Sequence, residues 1–186
     1  MRNMPEKGKT IFGVLFVTAL FATMMLLAGH VENNENVQKL IASFGPIGIL
    51  ITGFIGGLNL IVPVPATAFI PVFSAAGFGQ FVIIAMLVIG TTTADLLSFV
   101  IGTALGPRAQ RINHRMLRFL QKNCEKHPGK LQIIIFLYAA FAPFPNEVLL
   151  LPLGALGVRL RTLLVAFTTG NILHISLLTF GLTSLL

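Results

Sequence analysis

Charge is what this chain has least of. Its 186 residues include 13 Lys or Arg and only 6 Asp or Glu, 10% charged in all, against about 25% in an average soluble domain. With 55% apolar residues and a mean hydropathy of +0.88, an ordinary water-soluble domain is excluded. Cysteine occurs once, at Cys124, which excludes an internal disulfide. The C-x-x-H formed by Cys124 and His127 is too sparse to hold a metal. His114 and His127 have no evident partner, and neither a nucleophile–base pair nor a phosphatase-like constellation is legible. No enzyme activity, metal or cofactor is therefore expected. The net charge of +7 does not indicate a nucleic-acid binder, because the basic residues sit in short connectors between apolar stretches. That is the positive-inside pattern of membrane proteins.

Long apolar stretches are what the chain does have, at 11–28, 41–62, 81–105, 131–142 and 162–186, several near the ~20 residues that cross a bilayer. The first exceeds the ~7–15 residue core of a signal peptide, so a retained transmembrane helix is expected at 11–29. Arg2, Lys7 and Lys9 put the N-terminus in the cytoplasm. Residues 106–130 hold seven Lys or Arg against Glu125 alone and form a cytoplasmic connector. Its Ile112, Met116, Phe119, Leu120 and Cys124 approximate one helix face, which suits an amphipathic helix on an anionic lipid surface.

Those two anchors fix the parity of the rest. The helix ending near Leu105 enters from outside, so residues 41–80 start and finish outside, and a re-entrant loop is expected near 59–76 around Pro63 and Pro65. Residues 131–158 start inside and are followed by Arg159 and Arg161. They are too short for two spans and broken by Pro143, Pro145 and Pro152, so a second re-entrant loop is expected near 141–158. The last helix then leaves the C-terminus outside. At an offset of 80 residues Pro63 meets Pro143, Pro65 meets Pro145, Gly77 meets Gly157 and Gly90 meets Gly170. The expected fold is an all-α integral membrane domain over 1–186. It holds two inverted repeats, 41–105 and 131–186, each a re-entrant helical hairpin plus a long transmembrane helix, and the extra N-terminal helix. Broken helices meeting near the midplane form the sites of many transporters.

Irregular backbone at membrane depth must be buried in protein or line a cavity, so the prolines of both loops are candidate substrate contacts. Asn146 supplies an amide at the second loop and Glu147 a titratable group. A carboxyl there costs about 2.5–3.5 kcal/mol, which favours a functional reading over a plain ion pair with Arg159 or Arg161. Glu147 and Asp95 are the candidate proton-coupling groups. Asn146, Arg159, Arg161, Asn171 and His174 join Pro63, Pro65, Pro143 and Pro145 as candidate substrate-binding residues. A guanidinium matches a phosphate bidentately, though cations also mark a cytoplasmic boundary. Thr91, Thr92 and Thr93 have the cheap option of bonding their own helix carbonyls. Asp95 has none, and a contact with the facing loop is expected. Thr67 stands where the offset places Glu147, so the two loops are chemically unequal. Gly53 and Gly57 form a GxxxG, a close-packing motif.

The paired proline loops, with the G-x4-D-x3-[FY]-x2-G run at Gly90, Asp95, Phe99 and Gly102, resemble the DedA/VTT-domain (SNARE-associated) superfamily over residues 54–179. The resemblance implies a multi-pass protein of the cell (inner) membrane with two opposed re-entrant loops. It also implies lipid movement between leaflets, of polyprenyl phosphate or phospholipid, often dependent on protons. Two departures stand out. Many DedA proteins carry a Glu in the first loop where this chain has Thr67, and their second-loop R-F-x-P-G-x-R is here "AFAPFPN", so the family's arginine roles do not pass to Ala140 or Asn146. The run from Asn146 to Asn171 also resembles, more weakly, the small multidrug export family. The expected partners are membrane lipids, with homo-oligomer formation open. A small-molecule exporter and a non-transporting membrane scaffold are the alternatives.

Overall fold

In the computed structural model, residues 18–19, 22–27, 29–31, 33–58, 64–106, 128–142 and 145–184 are described, and every regular element among them is helical. Helix α1 (Glu35–Ser43) starts where the Asn34 side chain accepts from the amides of Asn36 and Val37, two donors that a helix start leaves open. Pro46 then opens α2 (Gly45–Gly57) at a position where its missing N–H costs nothing, and the two axes meet at 76°. A 3-10 turn (Ala66–Phe69) runs into the short α3 (Ile70–Ala75), followed by the long α4 (Gln80–Leu105). The second half of the chain holds α5 (Pro128–Phe141), α6 (Glu147–Ala155) and α7 (Leu160–Thr183). Pro152 lies inside α6 and does not end it, because the turn beyond it is held by packing of Leu153 and Gly154 on α4.

Two helices, α4 and residues 163–183 of α7, are long and apolar enough to cross a membrane, and the bent α1–α2 pair makes a third if it is one span. Large side chains such as Phe81, Ile47, Phe44 and Val165 are more than half exposed. In water such surfaces are a liability; hydrocarbon is their natural solvent. The expected first helix at 11–29 falls largely outside the described residues. The connector from 107 to 127, with Cys124, His114, His127 and most of its cations, and Pro63 and Pro143 of the loops, lie outside them altogether.

Helices α3 and α6 end in the same way. Ala76, Gly77 and Phe78 donate to the carbonyls of Val72, Ser74 and Phe73, and the residues 80 positions on, Leu156, Gly157 and Val158, donate to Pro152, Gly154 and Leu153. Gly77 and Gly157 have φ of 88° and 68°, the left-handed cap conformation that glycine adopts without a Cβ penalty. The next helices begin at Gln80 and Leu160, again in step.

Close approaches set the helix directions. A Cβ on Gly53 would lie 3.0 Å from the Leu87 oxygen, and one on Gly57 2.8 Å from the Ala94 Cβ, so α2 runs parallel to α4. Gln80 Nε2 donates to Thr183 Oγ1 at 2.8 Å, while Asn171 meets Asp95 further along, so α4 and α7 run antiparallel. Helix α6 lies against the second half of α4, where a Cβ on Gly102 would collide with the Leu151 carbonyl oxygen. Overpacking of that kind costs about 1–3 kcal/mol. Gly102→Ala is therefore expected to lower the thermal midpoint in detergent clearly, whereas Gly79→Ala, with nothing within 4 Å, leaves it unchanged.

The buried apolar side chains form two clusters. One joins Phe99 to Leu131, Ile135, Leu153, Leu163 and Phe167. The other joins Ile49, Ile70, Phe73, Ile83 and Leu87 to Ile175. Along α4 and α7 the residues between the clusters are those around Asp95 and Asn171. A polar layer separates two oily ones.

Candidate functional site

The layer is built from a helix break. Helix α5 ends at Phe141 and α6 starts at Glu147, with Pro145 in the connection unable to donate an amide. The freed groups are held by side chains. Tyr138 donates its hydroxyl to the Pro145 oxygen at 3.0 Å, and His174 Nδ1 lies 3.0 Å from the Ala140 oxygen. Asn146 occupies the cap position of α6 but makes no side-chain cap bond. Its amide turns across the layer instead, donating to Asp95 Oδ2 at 3.1 Å and to Asn171 Oδ1 at 3.2 Å. Asn171 closes the ring by donating to the same Asp95 oxygen at 2.7 Å. Two amides from two further helical segments thus meet on one carboxylate oxygen.

Asp95 is 3% exposed and Glu147 2%, the two lying within electrostatic reach of each other. Burying a charge is costly unless hydrogen bonds replace its water, and the two amides supply them on Oδ2. Asp95 Oδ1 accepts no hydrogen bond among the described residues. In the first half of the chain, Thr67 is 8% exposed and sits in the 3-10 turn.

The sequence candidates separate into two groups. Asp95, Asn146 and Asn171 share one ring, with Glu147 beside it, and His174 braces the α5 end of the same break. Pro145 is part of that break, while Pro65 precedes the 3-10 turn of the other half. Arg159 and Arg161 lie elsewhere. Both are exposed at the start of α7, and ten residues from Arg161 to Asn171 make about 15 Å of helix at ~1.5 Å per residue. They stand at the opposite end of α6 from Glu147. Sequence reasoning missed Tyr138; its being the one tyrosine in the chain, seven residues before Pro145, was the available signal. Thr91 and Thr93 bond the carbonyls of Leu87, Val88 and Ile89, whereas Thr92 has no partner among the described residues. Nor, among those residues, does any trio of His, Cys, Asp or Glu come close enough to hold a metal.

The model of the VTT-domain family matches residues 62–184. The chain belongs to the VTT-domain (DedA) family. The matched range holds most of the first loop, α4, the break at Pro145 and all of the ring. No curated protein and no solved structure matches the chain. VTT membership together with apolar helices of spanning length marks a membrane protein, and it is consistent with a transporter or flippase.

Proposed function

We propose that this VTT-domain protein is a membrane transporter that moves a phosphate-bearing lipid, a polyprenyl phosphate or a phospholipid, between leaflets with protons carried on Glu147 and Asp95. The observation that carries this reading is the buried ring of Asp95, Asn146 and Asn171 at a helix break. A carboxylate held by two amides between two apolar clusters is costly as mere structure, and intramembrane ionisable groups normally mark a substrate or proton path. The parallel α2 and α4, the antiparallel α4 and α7, and the matched glycine caps support two inverted halves, each a re-entrant hairpin and a long helix. In that arrangement the N-terminus is cytoplasmic, the C-terminus lies outside, and the host is the cell membrane. Arg159 and Arg161 receive the phosphate at the cytoplasmic surface, and the ring meets the cargo deeper in. The cargo crosses without covalent change, so the protein is not an enzyme. Its partners are membrane lipids, the anionic surface beneath the basic connector and further copies of the chain.

The test is leaflet exchange in liposomes holding the purified full chain and headgroup-labelled lipids, a polyprenyl phosphate among them. At least one phosphate-bearing lipid is expected to exchange faster than in empty vesicles, and faster again under a pH gradient. If none exchanges, the lipid reading fails in favour of a small-molecule exporter or a scaffold.

A further inference from the structure

The polar layer is closed off. Asp95 and Asn171 are 3% and 5% exposed, and the cleft beside them, lined by Phe99, Leu150 and Phe167 among others, has room for about one water (about 10 Å³). A cargo reaches Asp95 only if a seam between helices opens. The seams are not alike. Between α2 and α4 a Cβ on Gly90 would collide with the Leu50 oxygen, and between α4 and α6 one on Gly154 would collide with the Phe99 oxygen. Between α5 and α7 one on Gly170 would lie 2.6 Å from the Ala139 Cβ and 2.9 Å from the Phe136 oxygen. Helices whose backbones touch through small residues have few side chains to re-pack between them and travel together. The α4–α7 seam lacks that contact. The other glycine of α4, Gly102, meets α6, and the other glycine of α7, Gly181, has nothing within 4 Å. Side chains hold this seam, and side-chain contacts can be exchanged in a hinge or shear movement.

Helices α2, α4 and α6 thus form one body, and α5 with α7 another. Between α5 and α7 the chain passes from one body to the other twice, at the Pro145 break and at the turn where Gly157 has φ 68° and no neighbour within 4 Å of an added Cβ. That turn ties α6 to the start of α7, so the seam is pinned at the α6 end. The far end is tied by side chains. Gln80 Nε2 donates to Thr183 Oγ1 at 2.8 Å, and the rings of Phe81 and Phe180 meet edge-on with centroids 6.4 Å apart. Below these ties lie the buried Val88 of α4, in one cluster with Ile175 of α7, and then the Asp95 ring.

We propose that α5 and α7 swing as one body about Pro145 and Gly157, parting the α4–α7 seam from the Gln80–Thr183 end, and that the Gln80–Thr183 hydrogen bond with the Phe81–Phe180 contact is the latch that holds the seam shut over Asp95. The latch goes beyond the transport reading in naming the route to the buried layer, and it rests on that reading for its purpose alone.

The experiment is cysteine labelling of the full chain in detergent by a charged, water-soluble methanethiosulfonate, followed by mass. Cys124, the single native cysteine, is first replaced by serine. Three nearly isosteric probes are then made one at a time, each at a buried position: Thr179→Cys beside the latch on α7, Val88→Cys deeper in the seam, and Ser98→Cys on the far side of Asp95. Gln80→Leu and Thr183→Val each remove the latch bond and keep most of the side-chain bulk. Each is expected to speed labelling at 88 and 179 by about fivefold, the size of one net hydrogen bond, and to leave 98 unchanged. Together they add little beyond either alone, since both break the same bond. Unchanged rates at 88 and 179 in both variants overturn the latch. So does acceleration at 179 alone, which is fraying of the helix end, or equal acceleration at 98, which is loosening of the whole fold. Labelling in detergent involves no leaflet exchange, so a seam that does not open and a protein inert in liposomes are separate results.

Discussion

Glu147→Gln is expected to abolish the response of lipid exchange to a pH gradient while leaving the protein folded. Glutamine keeps the shape of the side chain and an acceptor oxygen but cannot gain or lose a proton. The side chain is 2% exposed at the first turn of α6, where a negative charge is favoured by the helix dipole. Loss of that charge is therefore a modest change in stability and a complete change in proton chemistry. Gradient-driven exchange is expected to fall at least about tenfold, equivalent to ~1.4 kcal/mol on the limiting step. Glu35→Gln is the matched control. Glu35 pairs with Lys39 at 3.3 Å on an exposed face, and such pairs contribute about 0–1 kcal/mol, so both stability and exchange stay near wild type. A Glu147→Gln protein that still follows the gradient as wild type does would remove Glu147 from the coupling and leave it a structural acid.

Asn171→Leu is expected to have the largest effect on stability. It removes the shortest donor to Asp95, at 2.7 Å, and the acceptor that Asn146 uses at 3.2 Å. A hydrogen bond to a charged group is worth about 1.5–3 kcal/mol, and leaving a buried acceptor unsatisfied costs the full desolvation of that group. The thermal midpoint should drop well below that of wild type. Adding Asp95→Leu should then recover part of the loss, because an underpaired buried carboxylate costs more than the part-buried Asn146 amide that loses both its acceptors. Thermal unfolding of the two single variants and the double variant in one detergent measures the coupling. A double variant as destabilised as the sum of the singles would mean that the ring contributes nothing beyond packing.

Much of this architecture was legible in the residues. Low charge and the long apolar stretches announced a membrane protein. The glycines at 77 and 157 matched at an offset of 80 residues, and the structure places the same three hydrogen bonds at each. Pro145 and Asn146 located the break between α5 and α6, and the GxxxG at Gly53 and Gly57 located a close helix contact. Such signals are local: each depends on a proline's missing donor, a glycine's missing Cβ, or a run of one solvent preference. They survive without knowledge of what lies opposite.

Partner choice was not local. Asp95 and Asn171 are 76 residues apart and meet because α4 and α7 run antiparallel past each other. Helices that are apolar all round give no amphipathic stripe from which to read a buried face. The sequence therefore offered Asp95, Asn146, Asn171, Arg159 and Arg161 as one candidate set. The crossing of the helices joined the first three and left the arginines at the far end of α6. Thr91 and Thr93 bond carbonyls of their own helix while Thr92, among the described residues, does not, and three identical neighbours carry no local signal for that difference. The chain's composition determined its solvent, its spans and its breaks. The tertiary structure decided which polar groups share the dry interior, since a buried donor must find its acceptor in space and not in sequence.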